Sequence, residues 1–211
     1  MLALGAIAAA IVGAIVITPM PRAAADDDCP DVDVVFARGT DEPPGVGDVG
    51  QAFIDALTSD VGGKSVGVYA VNYPATKNVL HAAAGANDAV AHMEWSAANC
   101  PNTKIVLGGY SQGAYVVDIV TGTSIPSLGF HGAPAAVVAK NVAAVATFGN
   151  PDYRLLGGPL SALSPLYGSK AIDLCNGADP VCSSGTDVSA HHLYVQTGMT
   201  AQAASFAAGR I

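Results

Sequence analysis

The chain reads as an α/β protein, a three-layer α/β/α sandwich with a mostly parallel central sheet, and three observations lead there. Short β-branched runs alternate with longer segments whose apolar residues recur at helical spacing, the pattern of strands joined by crossover helices. The strand runs are nearly continuous in apolar residues, as strands buried on both faces must be. Finally, 211 residues with 51% hydrophobic and only 12% charged side chains suffice for one well-buried domain and argue against disorder.

In chain order, Asp33 to Arg38 (DVDVVFAR with its flanks) is a first strand stopped at Gly39, followed by a Pro/Gly-rich loop over Asp41 to Gly47. Val49, Phe53, Ile54 and Leu57 then share one helical face. Val66 to Tyr73 is a second strand ended by Pro74, and the Ala-rich stretch Val79 to Asn99 is a helix ended before Pro101. Lys104 to Gly108 is a strand that runs into Gly109-Tyr110-Ser111-Gln112-Gly113, and Ala114 to Val120 continues as an apolar helix. Val142 to Phe148 and the short Ile172 to Leu174 complete the strands, and Tyr194 to Ala208 is a closing helix. Tyr153 to Lys170 reads as a Leu/Pro/Gly-rich loop, too short for a large lid.

Composition removes some partners. The formal charge is −8 and the few basic residues are scattered, so no phosphate-neutralising stripe for nucleic acid exists. An acidic surface gives no help on anionic lipid headgroups either, which leaves apolar surface for any transient lipid contact. Leu2 to Thr18 is an almost unbroken apolar run, followed by Pro19, Pro21, Arg22 and then Ala23-Ala24-Ala25. This predicts a signal peptide over residues 1–25, cut after Ala25, and a single domain over 26–211 exported from the cell. No Lys or Arg precedes the run, and its length is near the lower limit for an uncleaved membrane anchor, the competing reading. Cys29, Cys100, Cys175 and Cys182 all follow that site. An even number in an exported chain points to two disulfides, with three pairings open. No C-x-x-C pair or histidine cluster suggests a metal.

The residues that carry chemistry begin with G-x-S-x-G at Gly109 to Gly113. A serine on a strained strand-to-helix turn needs glycines two residues away on either side, so that the backbones pack while the hydroxyl projects. The turn also frees the N–H of Gln112 at a helix N-terminus, a donor suited to an oxyanion. A serine nucleophile needs a base and an orienting acid, which in this fold follow it in the order acid, then histidine. The downstream histidines are His131, His191 and His192; His131 sits in an ordinary Gly-Phe-His-Gly loop and precedes the late acids, which leaves the adjacent pair. Of Asp152, Asp173, Asp179 and Asp187, Asp179 stands out because Cys175 and Cys182 bracket it. A bond between those two would stiffen an eight-residue loop, worth about 2.5 kcal/mol in chain entropy, and would hold the carboxylate still.

Four stretches together, Ala37 to Glu42 (ARGTDE), Gly108 to Ala114 (GGYSQGA), Cys175 to Cys182 and His192-Leu193, resemble the cutinase family of small secreted serine esterases, in its actinobacterial branch. The likeness covers nearly everything from Cys29 onward. It implies a cutinase-like α/β-hydrolase without a large lid, with Ser111 as nucleophile, Asp179 as orienting acid and His192 as base. His192 is preferred to His191 because it occupies the family's His-Leu position. The resemblance also implies an oxyanion hole from the N–H groups of Thr40 and Gln112, with the Thr40 hydroxyl where fungal members carry serine. Cys29 would pair with Cys100 and Cys175 with Cys182. The first bridge closes a far longer loop, worth about 4.4 kcal/mol in the same entropy model.

The implied activity is hydrolysis of short- to medium-chain acyl esters, polyesters included, by a monomer needing no cofactor or metal. Leu155, Leu156, Leu160, Leu163, Leu166 and Leu193 would flank an open serine, although most of them suit ordinary loop packing. A phospholipase, lipase or acetylxylan-type esterase on the same frame is the alternative, and a catalytically inert lipid-binding surface protein a remoter one.

Overall fold

Val34 pairs with Val68 on one side and Val106 on the other, and this central strand organises the sheet of the computed structural model, which describes residues 29–123, 128–134 and 136–211. The signal peptide expected over 1–25 lies outside the described residues. The strands are β1 (Val32–Ala37), β2 (Val66–Ala70), β3 (Lys104–Tyr110), β4 (Val142–Phe148) and β5 (Ala171–Leu174). They form one sheet in the order β2-β1-β3-β4-β5, every pairing parallel. The helices are α1 (Gly47–Asp60), α2 (Ala82–Asn99), α3 (Gln112–Thr121), two single turns α4 (Asp152–Leu155) and α5 (Leu160–Leu163), and α6 (Met199–Ala208).

The two-residue period of the strands divides the core. Val32, Val34 and Phe36 of β1 join Val106 of β3, Ala144, Ala146 and Phe148 of β4, and the inner faces of α1 and α6. Val35 and Ala37 join Ile105 and Leu107, Val145 and the inner faces of α2 and α3. Both faces are therefore covered, and the strands are largely apolar for that reason. Among the described residues no helix is long and apolar enough to cross a membrane.

Three boundaries differ from the sequence expectation, each with a cause distant in sequence. β2 ends at Ala70 rather than Tyr73, because the Arg38 guanidinium takes the carbonyls of Val71 (3.4 Å) and Tyr73 (2.7 Å). The closing helix begins at Met199 rather than near Tyr194, since Gly198 breaks the chain at φ 75°. The loop after Tyr153 contains α5, whose first N–H groups are capped by Asp173 of β5: Leu160 donates at 3.1 Å and Ser161 at 2.9 Å. A helix of four residues cannot sustain itself, and a cap supplied from another strand leaves no local sequence signal.

Candidate active site

The turn from β3 into α3 holds Ser111 at φ 55° and ψ −116°, a conformation that L-residues adopt only under restraint. The restraint is visible in its neighbours. A Cβ on Gly113 would lie 1.9 Å from the Ala37 carbonyl oxygen, and one on Gly109 would lie 2.2 Å from the Gly113 carbonyl oxygen. Only glycine lets β1, β3 and the start of α3 approach so closely. The Ser111 N–H bonds to the Phe148 carbonyl of β4 at 2.8 Å, so the turn is anchored from both neighbouring strands. The hydroxyl is left at the carboxyl ends of the strands, where open parallel sheets gather their sites.

Asp179 lies in the loop between Cys175 and Cys182, which are disulfide-bonded, as are Cys29 and Cys100. Its carboxylate is fully buried. Oδ1 accepts the Val181 N–H at 2.8 Å, while the Asp179 N–H bonds the Asn176 carbonyl at 2.8 Å. The short bridge thus closes a loop whose own backbone grips the acid.

The histidine that joins serine to acid is His191. Its Nε2 is 2.9 Å from Ser111 Oγ and its Nδ1 is 2.7 Å from Asp179 Oδ2. The expectation of His192 is corrected by this geometry. Val188–His192 is a 3₁₀ turn whose first N–H groups are capped by the Asp187 side chain, 2.9 Å from the Ser189 N–H. Within that turn His191 faces inward and His192 the surface; Tyr194, two residues beyond its end, is again buried. His191 is buried and His192 exposed; the His192 Nδ1 lies 3.4 Å from the Tyr110 hydroxyl, and its ring meets that of His191 edge-on at 5.6 Å. Tyr110 instead secures His191, donating to its carbonyl at 2.7 Å and stacking on its ring with centroids 5.1 Å apart.

The other candidates have different employment. Asp173 caps α5 and accepts the Thr147 hydroxyl, Asp187 caps the histidine turn, and His131 lies on an exposed loop held through its N–H by Asn87. Gln112 opens α3, and its side chain bridges two loops: Nε2 donates to the Thr76 carbonyl at 2.8 Å and Oε1 accepts the Thr40 hydroxyl at 3.3 Å. Among the described residues, neither the Thr40 nor the Gln112 N–H is taken up by a backbone carbonyl.

An apolar groove of about 460 Å³ runs beside Ser111, lined by Thr40, Gln112, Tyr115, Val79, Leu155 and Leu156 together with Lys77 at its rim. Of the leucines singled out in the sequence, Leu155 and Leu156 line this groove, Leu160 is buried in the core, and Leu163, Leu166 and Leu193 are exposed. Among the described residues, no three His, Cys, Asp or Glu side chains converge as metal ligands.

Sequence reading missed one feature of the groove wall. Asp118 of α3 and Asp152 at the start of α4 are both buried, and the Oδ2 atom of each lacks a hydrogen-bond partner among the described residues. Burial first, and Asp152 second, push the Asp118 carboxyl up to about 8; burial likewise raises that of Asp152. Two adjacent buried carboxylates resist ionising together, so the pair retains one proton, which the stronger upward push on Asp118 favours there. Asn150 supports the arrangement, donating to Asp118 Oδ1 at 3.1 Å and accepting the Asp152 N–H at 2.9 Å.

The chain is similar to known proteins over most of its length. The family model described as Cutinase matches residues 28–211. The chain is 56% identical over 188 residues to the probable carboxylesterase Culp3 of Mycobacterium tuberculosis, covering 88% of this chain and 71% of that protein. It is 52% identical over 206 residues to the phospholipase Culp4 of the same organism, covering 97% of this chain and 90% of that protein. Among solved structures, a Trichoderma reesei cutinase in complex with a phosphonate inhibitor superposes with a TM-score of 0.68 at 31% identity, covering 86% of this chain and 76% of that one.

Proposed function

The chain belongs to the cutinase family and is a carboxylic ester hydrolase, and from that premise we propose that Ser111, His191 and Asp179 are its catalytic triad. One observation carries the reading: the unbroken hydrogen-bonded chain from Ser111 Oγ through both ring nitrogens of His191 to Asp179 Oδ2. In the proposed cycle His191 Nε2 takes the Ser111 proton as Oγ attacks the ester carbonyl. The imidazolium then returns that proton to the leaving alcohol, and water repeats the sequence on the acyl-enzyme. Asp179 holds the imidazole in the tautomer with Nδ1 protonated and stabilises its charged form. The N–H groups of Thr40 and Gln112 stabilise the oxyanion; their lack of backbone acceptors and the position of Gln112 at the start of α3 support that role. The Thr40 hydroxyl is directed to Gln112, so its part is to hold the loop.

The substrate class is short- to medium-chain acyl esters, supported by an apolar groove of about 460 Å³, at the small end of ligand sites. Hydrolysis of p-nitrophenyl esters of increasing chain length, with and without Ser111→Ala, tests this. Ser111-dependent turnover peaking on short to medium chains supports it, and a peak on long chains contradicts the substrate assignment. Loss of fluorophosphonate labelling at Ser111 would mark an inert fold.

A second reading is favoured by Lys77, a cation at the groove rim with an 87% exposed side chain and its Nζ 3.9 Å from Asp41, and by the relative named a phospholipase: acyl release from a phospholipid whose phosphate displaces Asp41 at Lys77. Free fatty acid from phosphatidylcholine vesicles, diminished in Lys77→Ala, would establish it. We further propose that the protein is exported with residues 1–25 removed and acts as a monomer touching lipid through Val79, Leu80 and Leu155. The two disulfides support export, and the exposure of those three apolar side chains supports the contact. N-terminal sequencing of exported protein, gel filtration and vesicle flotation test these points in turn.

A further inference from the structure

The two oxygens of the Asp179 carboxylate are unequally served. Oδ1 accepts one bond, from Val181, whereas Oδ2 accepts two: His191 Nδ1 at 2.7 Å and the Tyr194 hydroxyl at 2.6 Å. The Tyr194 oxygen itself accepts the Asn176 N–H at 3.3 Å, and its proton goes to the charged Asp179 oxygen at 2.6 Å rather than to the disulfide sulfur of Cys182 at 3.4 Å. Burial and the adjacent carboxylate hold the Tyr194 hydroxyl far above the ordinary tyrosine range, so it remains a donor. The ring is fully buried and packed edge-on against Tyr110 (5.8 Å) and Phe148 (6.1 Å), leaving the phenol little freedom. Tyr194 does not line the groove.

We propose that Tyr194 is a positioning residue for ester hydrolysis: its O–H fixes Oδ2 of Asp179 toward His191 and draws off part of the charge that oxygen presents to the imidazole. The proposal rests on the Ser111–His191–Asp179 reading. A carboxylate held by a charge-assisted bond at the oxygen it offers to histidine cannot turn that oxygen away. Sharing Oδ2 with a phenol also makes the carboxylate a weaker partner for imidazolium. Acid, base and phenol form one cluster: both His191 and Tyr194 reach Asp179 Oδ2, and their rings meet edge-on with centroids 6.3 Å apart.

The test compares Tyr194→Phe with wild type on p-nitrophenyl butyrate across about pH 5–9. The variant should lose about 3- to 30-fold in kcat, on the scale of one charge-assisted hydrogen bond, with KM within about twofold because the groove is untouched. The acid limb of kcat/KM should move to higher pH, since Asp179 freed of the phenol stabilises imidazolium better. A kcat within about twofold of wild type and an unmoved acid limb would overturn the proposal. Should Tyr194→Phe fail to fold by circular dichroism, 3-fluorotyrosine placed at residue 194 alone keeps the ring in position and strengthens the donor. The limb should then move to lower pH, and an unmoved limb overturns the proposal. Fluorophosphonate labelling of wild type separates the premises. Labelled wild type with an unchanged Tyr194→Phe profile refutes the role of Tyr194 alone, whereas unlabelled wild type refutes the triad and the proposal with it.

Discussion

Asp118→Asn changes one atom in the buried carboxyl pair and replaces its shared proton with a permanent amide hydrogen. In wild type the folded protein holds that proton up to about pH 8 at Asp118, whereas an unfolded aspartate releases it near its usual value, about 4. Between those limits the unfolded chain binds fewer protons than the folded one, so the pair makes stability fall as pH rises. The ceiling on that slope is about 1.4 kcal/mol per pH unit for one proton. The carbonyl oxygen of the introduced amide can still accept from Asn150, as Asp118 Oδ1 does now, and its nitrogen can donate to Asp152 Oδ2, which otherwise has no partner. Asp173, which adds to the upward pressure on Asp118, and Thr123, which opposes it, remain in both proteins. All of these act on the Asp118 charge that the substitution removes, so the difference between the two stability profiles reports the whole titration of Asp118, burial first and Asp152 second. Urea unfolding at a series of pH values should show Asp118→Asn more stable than wild type by about 1–3 kcal/mol near pH 8, with the gap closing toward pH 4. Parallel profiles would refute the reasoning, since they would mean that no proton is held between the two carboxyls. Because Asp152 begins α4, which walls the groove with Leu155 and Leu156, repulsion within an ionised pair would bear first on that wall.

Two further predictions concern the frame of the site. Gly113→Ala should destabilise the protein by about 2–4 kcal/mol and abolish most activity, because the new Cβ meets the Ala37 carbonyl oxygen at 1.9 Å; thermal melting and ester hydrolysis check both. Replacing Cys175 and Cys182 together by serine should cost about 2.5 kcal/mol on the loop-entropy scale and lower kcat more than it raises KM, because the closed loop carries Asp179. Unchanged kcat in the folded double variant would mean that the bridge contributes nothing to holding the acid.

What was legible in the sequence follows from where each determinant sits along the chain. Strands such as β4 declare themselves because burial on both faces calls for a largely apolar run, and Val142 to Phe148 is apolar at every position but Thr147. The turn at Ser111 declares itself because its steric demand falls on glycines two residues away. Asp179 was legible because the cysteines that fix its loop are its near neighbours.

The histidines were harder. Adjacent residues of the Val188–His192 turn point to different sides, and the inward one is held by partners distant in sequence, the Tyr110 hydroxyl on the His191 carbonyl and Asp179 on its ring. Asp118 was hidden for another reason: one carboxylate in the apolar run of α3 reads as a solvated residue, and its partner arrives from α4, far along the chain. Caps supplied at a distance, as Asp173 supplies α5, leave no local trace at all.

The most direct test of the triad is to measure p-nitrophenyl butyrate hydrolysis by His191→Ala and His192→Ala side by side, each verified as folded. The geometry at Ser111 and Asp179 predicts a loss of at least about 10³-fold in kcat for His191→Ala. For His192→Ala it predicts activity within about tenfold of wild type. An inactive His192→Ala beside an active His191→Ala would contradict it.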